Sequence, residues 1–322
     1  MVEGCSGVVL AAVFNLCRIQ SFIGTRCPSQ LGFPIAEFVL AVSSQHVPSF
    51  LDLAMAIIDI PESLKVIVLS IVQGVAEFLP ISSSGHLVVL NEFLGTDEGS
   101  VELNVILHLG TLFAILAFYW RRLAALLGSD RRVIPQLVVG TIPAAVIGLT
   151  IKRFFGDLLT DPLLAGLMFP VTGGLLLLLN WSKPGEREYQ RLSYLQVVFI
   201  GFAQAFALLP GISRSGSTIV AGCLLGLKRQ SAATFSFLLA IPAIAGAGLL
   251  EVRDMLEAGQ TTTPLWLLLL GACIAFVVGL GSLQWLVRCI EAGRLYLFAS
   301  WLIPLGLLVI VWQLFFAGAP LS

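Results

Sequence analysis

The chain has 322 residues, of which 57% are hydrophobic and only 11% are charged, and its formal net charge is −1. Soluble globular proteins carry about 25% charged residues. A chain this poor in charge, with a mean hydropathy of +0.96, cannot face water on all sides, so the composition excludes an ordinary soluble protein and predicts one embedded in lipid. The near-zero net charge gives no reason to expect a nucleic-acid partner.

The first part of the chain, residues 1–55, is an N-terminal extension whose status the sequence leaves open. Residues 5–24 are apolar apart from Arg18, and residues 31–58 are apolar but interrupted by polar residues and proline. The extension is a signal-like segment, an additional membrane helix, or sequence that is not translated because synthesis starts at Met55.

Six apolar stretches beyond the extension are long enough to cross a bilayer, which takes about 20 residues. They lie at 103–120, 133–151, 163–180, 232–250, 265–287 and 296–316. Two further apolar regions, 64–94 and 194–227, are each broken in the middle by Pro, Gly and Ser. Because proline blocks a helix and glycine permits a sharp turn, we predict that each region is a re-entrant hairpin of two half-helices. Irregular backbone at that depth must line a protected cavity.

The two broken regions resemble each other when the first is shifted by 131 residues. The aligned pairs are Gln73 and Gln204, Ala76 and Ala207, Ile81 and Ile212, Ser82 and Ser213, Ser84 and Ser215, Gly85 and Gly216, and Val89 and Val220. The sequence therefore predicts an all-α polytopic membrane protein built from two repeats, 56–190 and 191–322. Each repeat is a re-entrant hairpin followed by three spans. Since three spans carry the chain across the membrane, the second repeat is inverted and the hairpin tips meet near the midplane.

Lysine and arginine fall unevenly on the two sides of this topology. Eleven lie on one side and four on the side where the first hairpin begins. By the positive-inside rule, the side with eleven is cytoplasmic.

Ionisable and hydroxyl side chains concentrate at the two predicted tips. Glu77 lies inside an apolar region, where a charged residue costs about 2.5–3.5 kcal/mol on insertion, and Gln73 lies one helical turn before it. His86 follows the first turn, and Arg214 lies in the second. The hydroxyls belong to Ser82, Ser83, Ser84, Ser213, Ser215, Ser217 and Thr218. His108 lacks such neighbours, and we expect it to be a packing or supporting residue.

These residue types suit the binding of a phosphate or diphosphate. The fork of Arg214 matches phosphate oxygens, and Gly–Ser turns that open half-helices present N–H groups to an anion. Glu77 either binds a bridging divalent cation or accepts a proton from a nucleophile, and His86 suits acid–base or nucleophilic work. Two alternatives remain at this point: a buried ion pair of Glu77 and Arg214 that only fastens the repeats, and a transporter or flippase that moves the anion without hydrolysis.

Two motifs carry a resemblance to a known family. The segment 73–86, which reads QGVAEFLPISSSGH, resembles the (E/Q)xxxE…SS(S/T)GH region of bacterial undecaprenyl-diphosphate phosphatases of the bacitracin-resistance type. The segment 210–218, PGISRSGST, is similar to the PGxSRSxxT signature of the same family. The likeness covers roughly residues 60–316. Gln73 stands at a position that is often Glu in this family, which removes one candidate metal ligand.

The resemblance implies hydrolysis of undecaprenyl diphosphate to undecaprenyl phosphate, which recycles the lipid carrier of peptidoglycan synthesis and confers bacitracin resistance. It also implies a location in the bacterial inner membrane with the active site facing the periplasm. Mg²⁺ or Ca²⁺ is the implied cofactor, with Glu77 and Gln73 as candidate ligands. The expected partners are the polyprenyl diphosphate substrate and membrane lipid, and a homodimer is left open.

Matching motif positions assign roles to individual residues. The implied catalytic residues are Glu77, His86, Ser83 and Arg214. The implied diphosphate-binding residues are Ser82, Ser84, Gly85, Ser213, Ser215, Gly216 and Thr218. The nucleophile stays open between water, Ser83 and His86.

Overall fold

The structure is a computed structural model that describes residues 61–94, 101–181, 185–258 and 263–315. Within these ranges the chain is all-helical, as the sequence predicts, and its one extended pairing is an isolated bridge between Arg187 and Leu227. The predicted extension 1–55 lies outside the described residues.

The described ranges contain eleven α-helices and three 3₁₀ turns. The helices are α1 Glu62–Ala76, α2 Ser83–Leu94, α3 Val101–Phe118, α4 Trp120–Leu126, α5 Val133–Phe154, α6 Pro162–Trp181, α7 Tyr194–Phe206, α8 Arg214–Leu224, α9 Arg229–Ala258, α10 Leu265–Glu291 and α11 Ala299–Phe315. The 3₁₀ turns are Gly156–Leu159, Tyr189–Arg191 and Leu295–Phe298.

Five of these helices, α5, α6, α9, α10 and α11, are long and apolar enough to cross a membrane. Helices α3 and α4 form a sixth candidate only if they are counted together, because they are bent by 74° at the break between them. The predicted span 103–120 therefore ends near Phe118. Helix α4 turns Arg121 and Arg122 away from the direction of α3, so these two charges do not prolong the apolar span.

Both regions predicted to be re-entrant are split into two short helices. Helices α1 and α2 pack on each other around the break at 77–82, and α7 and α8 do so around the break at 207–213. The four helices have 11 to 15 residues, or about 16–23 Å at 1.5 Å per residue. None of them alone spans a hydrocarbon core of about 30 Å.

The two breaks touch each other through glycine backbone. A Cβ added to Gly85 would lie 2.6 Å from the backbone nitrogen of Gly211, and one added to Gly216 would lie 3.3 Å from the Cβ of Pro80. Gly211 itself has a φ of +91°, a conformation that glycine adopts without strain. Side chains at these positions would hold the two breaks apart, so glycine sets how closely the residues beside them approach.

Longer helices surround this contact. Helix α1 packs on α10 and α7 on α5, while α3 packs against α9 and α10, and α6 against α11. Beneath the first break, the buried ring of Phe78 meets Phe237 edge-on at 6.0 Å, and Phe237 stacks on Tyr119 at 5.8 Å. This aromatic core packs against Phe78 and so helps to fix the position of the neighbouring Glu77.

Candidate active site

Glu77 is the centre of the polar cluster at the first break. It caps the C-terminus of α1, and its side chain is almost fully buried. The Oε2 atom accepts hydrogen bonds from Ser83 Oγ at 2.6 Å and from Gln73 Nε2 at 3.1 Å. A buried carboxylate needs such donors, because removal from water is otherwise very costly.

Arg214 brings the second break into the same cluster. It is the first residue of α8, and its Nη2 donates to Glu77 Oε1 across a sequence separation of 137 residues. Its other terminal nitrogen, Nη1, is buried and has no hydrogen-bond partner among the described residues. The ion pair therefore uses Nη2 of the guanidinium and leaves the N–H groups of the buried Nη1 to bind a ligand.

Ser82 and Ser213 stand at equivalent places, one residue before α2 and α8. Ser82 has a φ of +71°, and its Oγ accepts the N–H of Gly85 at 3.3 Å. Ser213 Oγ accepts the N–H of Gly216 at 3.1 Å and caps α8. Both half-helices consequently point their N-termini toward the cluster, and a helix N-terminus favours an anion.

A cavity of about 180 Å³ opens beside the cluster. This volume holds a group with several oxygen atoms, since a site for one water needs only about 10–15 Å³. Of the residues predicted from the motifs, those that line it are Glu77, Ser82, Ser83, Ser84, Ser213 and Arg214. The structure thus brings six residues from two distant segments to one cavity.

The other predicted binding residues do not line this cavity. Gly85 and Gly216 form the contact between the breaks. Ser215 Oγ lies 3.4 Å from the carbonyl oxygen of Leu79, and Thr218 Oγ1 donates to the carbonyl oxygen of Arg214 at 2.8 Å. Gly85, Gly216 and Ser215 thus contact the opposite break, and Thr218 bonds within α8, so these four residues support the cavity without lining it.

His86, a predicted catalytic residue, also lies outside the cavity lining. Its Nδ1 is 2.7 Å from the carbonyl oxygen of Ser82, and its Nε2 is 3.0 Å from the indole N–H of Trp301, onto which it stacks. A carbonyl can only accept and an indole N–H can only donate, so Nδ1 carries the proton and Nε2 accepts. Both nitrogens are engaged away from Glu77.

Three further polar residues that the motifs did not predict for the site line the cavity: His108, Gln204 and Glu251. His108 Nδ1 is 2.8 Å from the carbonyl oxygen of Asn104, and its Nε2 faces Glu77 Oε2 at 3.9 Å. The signal for His108 was its place inside a span, where ionisable residues are rarely without a function. The signal for Gln204 was its alignment with Gln73.

The described residues do not form a divalent-cation site by themselves. No group of three or more His, Cys, Asp or Glu side chains that could hold a metal occurs among them. Both oxygens of Glu77 already accept hydrogen bonds, and Gln73 donates to Glu77 and does not line the cavity. Mg²⁺ prefers six oxygen ligands, and this donor set is far short of that.

Comparison with known proteins places these features in a family. Residues 66–308 match the family described as bacitracin resistance protein BacA. An undecaprenyl-diphosphatase of Rhodopirellula baltica is 54% identical over 254 residues, which cover 79% of this chain and 99% of that protein. Those of Desulforapulum autotrophicum and Halothermothrix orenii are each 38% identical, over 76% and 78% of this chain and 96% and 98% of their own lengths.

Proposed function

The chain belongs to the bacitracin resistance protein BacA family, and we propose that it is an undecaprenyl-diphosphatase. It hydrolyses undecaprenyl diphosphate to undecaprenyl phosphate and phosphate, and so recycles the lipid carrier for peptidoglycan synthesis. The observation that carries this proposal is the cluster in which Glu77 accepts from Ser83 on one oxygen and from Arg214 on the other, beside a cavity. Ser83 and Arg214 are each within hydrogen-bond reach of Glu77, which suits a proposed nucleophile and phosphate-binding cation arranged around one base.

Ser83 is the nucleophile in this proposal. Its hydroxyl proton passes to Glu77 as Oγ attacks the terminal phosphorus, and the bond from that phosphorus to the bridging oxygen breaks. Undecaprenyl phosphate leaves and takes the proton from Glu77. Water then attacks the phosphoserine, again giving a proton to Glu77, which returns it to Ser83 Oγ as phosphate departs. Arg214 Nη1 and the N-termini of α2 and α8 stabilise the charge on the transferring group.

The other two candidates for the nucleophile fit less well. His86 has both ring nitrogens engaged away from the cavity. A water activated directly by Glu77 would have to displace Ser83 from a hydrogen bond of 2.6 Å. His108, whose Nε2 faces the same carboxylate at 3.9 Å, is a supporting residue of the reaction.

Dependence on Mg²⁺ or Ca²⁺ stays a prediction from the family resemblance. Since the described residues supply few free oxygen ligands, a cation would take most of its ligands from the diphosphate. Such a cation would offset phosphate charge.

The finer architecture is also part of this proposal: an inverted repeat whose active site faces the periplasm of the bacterial inner membrane. Reciprocal contacts support the repeat, because Gly85 contacts Gly211 and Gly216 contacts Pro80. The shift of 131 residues carries Pro80 to Gly211 and Gly85 to Gly216, so each repeat uses the same two positions to contact the other. The same shift carries α1 to α7 and α5 to α10, so the packing of α1 on α10 corresponds to the packing of α7 on α5. Glu251, at the cavity, lies near the end of α9 on the side poor in lysine and arginine, which supports the periplasmic orientation.

A transporter or flippase is the alternative from sequence, and the relatives do not support it, since they are named as diphosphatases. Binding alone would also need no hydroxyl bonded to a buried carboxylate.

The lipid tail lies between helices in the proposed complex, and a homodimer remains a prediction.

Release of phosphate from C55 diphosphate by the purified protein in detergent tests the function. We expect Ser83→Ala and Arg214→Ala each to lower kcat/KM by at least about 100-fold, the usual effect of losing a transition-state contact. The matched control is Ser282→Ala, which removes a buried hydroxyl that donates to the carbonyl oxygen of Val278 within α10 and should leave activity unchanged. Full activity in Arg214→Ala would exclude the proposed site.

A further inference from the structure

Gln204 is a buried glutamine with an unusual side-chain environment. It lies on α7, is 2% exposed, and lines the cavity beside Arg214. Neither its Nε2 nor its Oε1 has a hydrogen-bond partner among the described residues. Nearly all buried side-chain amides in folded proteins are bonded, so an amide with both atoms free at a cavity wall requires an explanation.

The internal repeat shows what Gln204 lacks. Its counterpart in the first hairpin, Gln73, donates Nε2 to Glu77, four residues later on the same helix face. The residue four positions after Gln204 is Leu208, whose side chain has no hydrogen-bond acceptor. The second hairpin therefore keeps the amide but has no partner for it among the described residues.

Stability alone would not preserve this arrangement. A leucine has similar volume and carries no polar atom to leave unbonded, so replacing unbonded polar groups by apolar ones is neutral or stabilising. Arg214 lines the same cavity, and its buried Nη1 has no hydrogen-bond partner among the described residues. Two buried donor groups that have no acceptors in the described part of the chain, both on residues that line one cavity, are complementary to a ligand rich in acceptor oxygens.

We infer that Gln204 binds the diphosphate of the lipid substrate, with its Nε2 donating to a phosphate oxygen next to the one that Arg214 Nη1 contacts. This inference rests on the proposed function, and it assigns a substrate-binding role to a residue outside both sequence motifs. The Oε1 atom is then left to accept from a water at the phosphate. An ordered water that satisfies both amide atoms, without substrate contact, is the competing explanation.

The test compares Gln204→Leu with the wild type in detergent, using thermal unfolding, the thermal shift caused by inorganic pyrophosphate, and KM for C55 diphosphate. We expect Gln204→Leu to unfold at the same or a higher temperature. Its pyrophosphate shift should shrink and its KM rise about tenfold to a hundredfold, because a hydrogen bond to a charged group is lost. Gln204→Glu should weaken binding further, since it places a carboxylate against the phosphate.

Gln136→Leu is the matched control, because Gln136 is buried outside the cavity and its Nε2 donates to the carbonyl oxygen of Leu192 at 2.8 Å. It should unfold at a lower temperature with KM unchanged. A Gln204→Leu variant that behaves like this control, or that keeps the wild-type KM and pyrophosphate shift, would overturn the inference. A wild type that binds pyrophosphate through Gln204 but releases no phosphate would instead reject the proposed function.

Discussion

Ser82 occupies a backbone conformation with a φ of +71°, where few residues other than glycine occur. The strain, of order 1–3 kcal/mol for such a residue, is offset by two local hydrogen bonds. The Oγ accepts the N–H of Gly85, and the carbonyl oxygen accepts from His86 Nδ1. His86 thereby fixes the turn that aims Ser83 at Glu77, and Trp301 holds His86 by its other nitrogen.

From this arrangement we propose that His86 positions Ser83 and does not itself attack phosphorus, and the chemistry of the phosphoenzyme tests this role. Brief reaction with substrate labelled in the terminal phosphate should give an acid-stable adduct on Ser83 in the wild type. His86→Ala should form the same adduct at a lower rate, because the turn is looser. Trp301→Phe, which keeps a ring but removes the N–H, should lose only a few-fold in kcat/KM. An acid-labile adduct that disappears in His86→Ala would show that the histidine is the nucleophile.

The residues of the site were only partly predictable from sequence. Glu77, Ser83 and Arg214 could be found because a buried charge among hydroxyls and glycines is unusual in any membrane segment. The direction of His86 could not, because it depends on the left-handed turn at Ser82. His108 was expected to be a packing or supporting residue, and its contact with Glu77 depends on how α3 packs, which short-range spacing does not encode.

At the scale of secondary structure, the breaks at 77–82 and 207–213 lie where Pro, Gly and Ser cluster, and local preferences were sufficient to place them. The end of α3 was missed by about two residues. Tyr119 and Trp120 are apolar enough to prolong a span, yet the following Arg121 and Arg122 end it. Hydropathy averaged over a window reports the apolar residues and not the 74° bend.

The contact between the two breaks predicts the effect of a single methyl group. In Gly85→Ala the new Cβ would lie 2.6 Å from Gly211 N and 2.8 Å from a ring carbon of Phe169. Neither group can move freely, so we expect overpacking to cost about 1–3 kcal/mol. Since the separation of the breaks sets the distance from Ser83 to Arg214, activity should fall more steeply than stability.

Thermal unfolding and phosphate release measure the two effects side by side. Gly281→Ala is the matched control, because Gly281 is also helical but has nothing within 4 Å of its added Cβ. Alanine there should be neutral or slightly stabilising, in line with its helix propensity. Wild-type activity in Gly85→Ala would mean that the breaks can separate without harm to the site.

At the scale of the whole molecule, the orientation of the protein in its membrane is open to direct measurement. In a background without the six native cysteines, we expect Gly156→Cys, in the turn between α5 and α6, to react with an impermeant thiol reagent added outside the inner membrane. Gln190→Cys, in the connection between the repeats, should react only after the membrane is opened. The positive-inside rule gives this expectation, and the reversed pattern would place the active site on the cytoplasmic side.

The ion pair between Glu77 and Arg214 has a consequence for how the protein is made. The carboxylate is synthesised 137 residues before the guanidinium that pairs with it, so during translation the first half enters the bilayer with an acidic group that has no cation. Until the second hairpin is made, that carboxylate lacks the guanidinium that pairs with it in the finished fold. Completion of the fold and assembly of the proposed site therefore depend on the same late segment, and a chain truncated before Arg214 would keep a buried carboxylate without its cation, which is costly in a membrane.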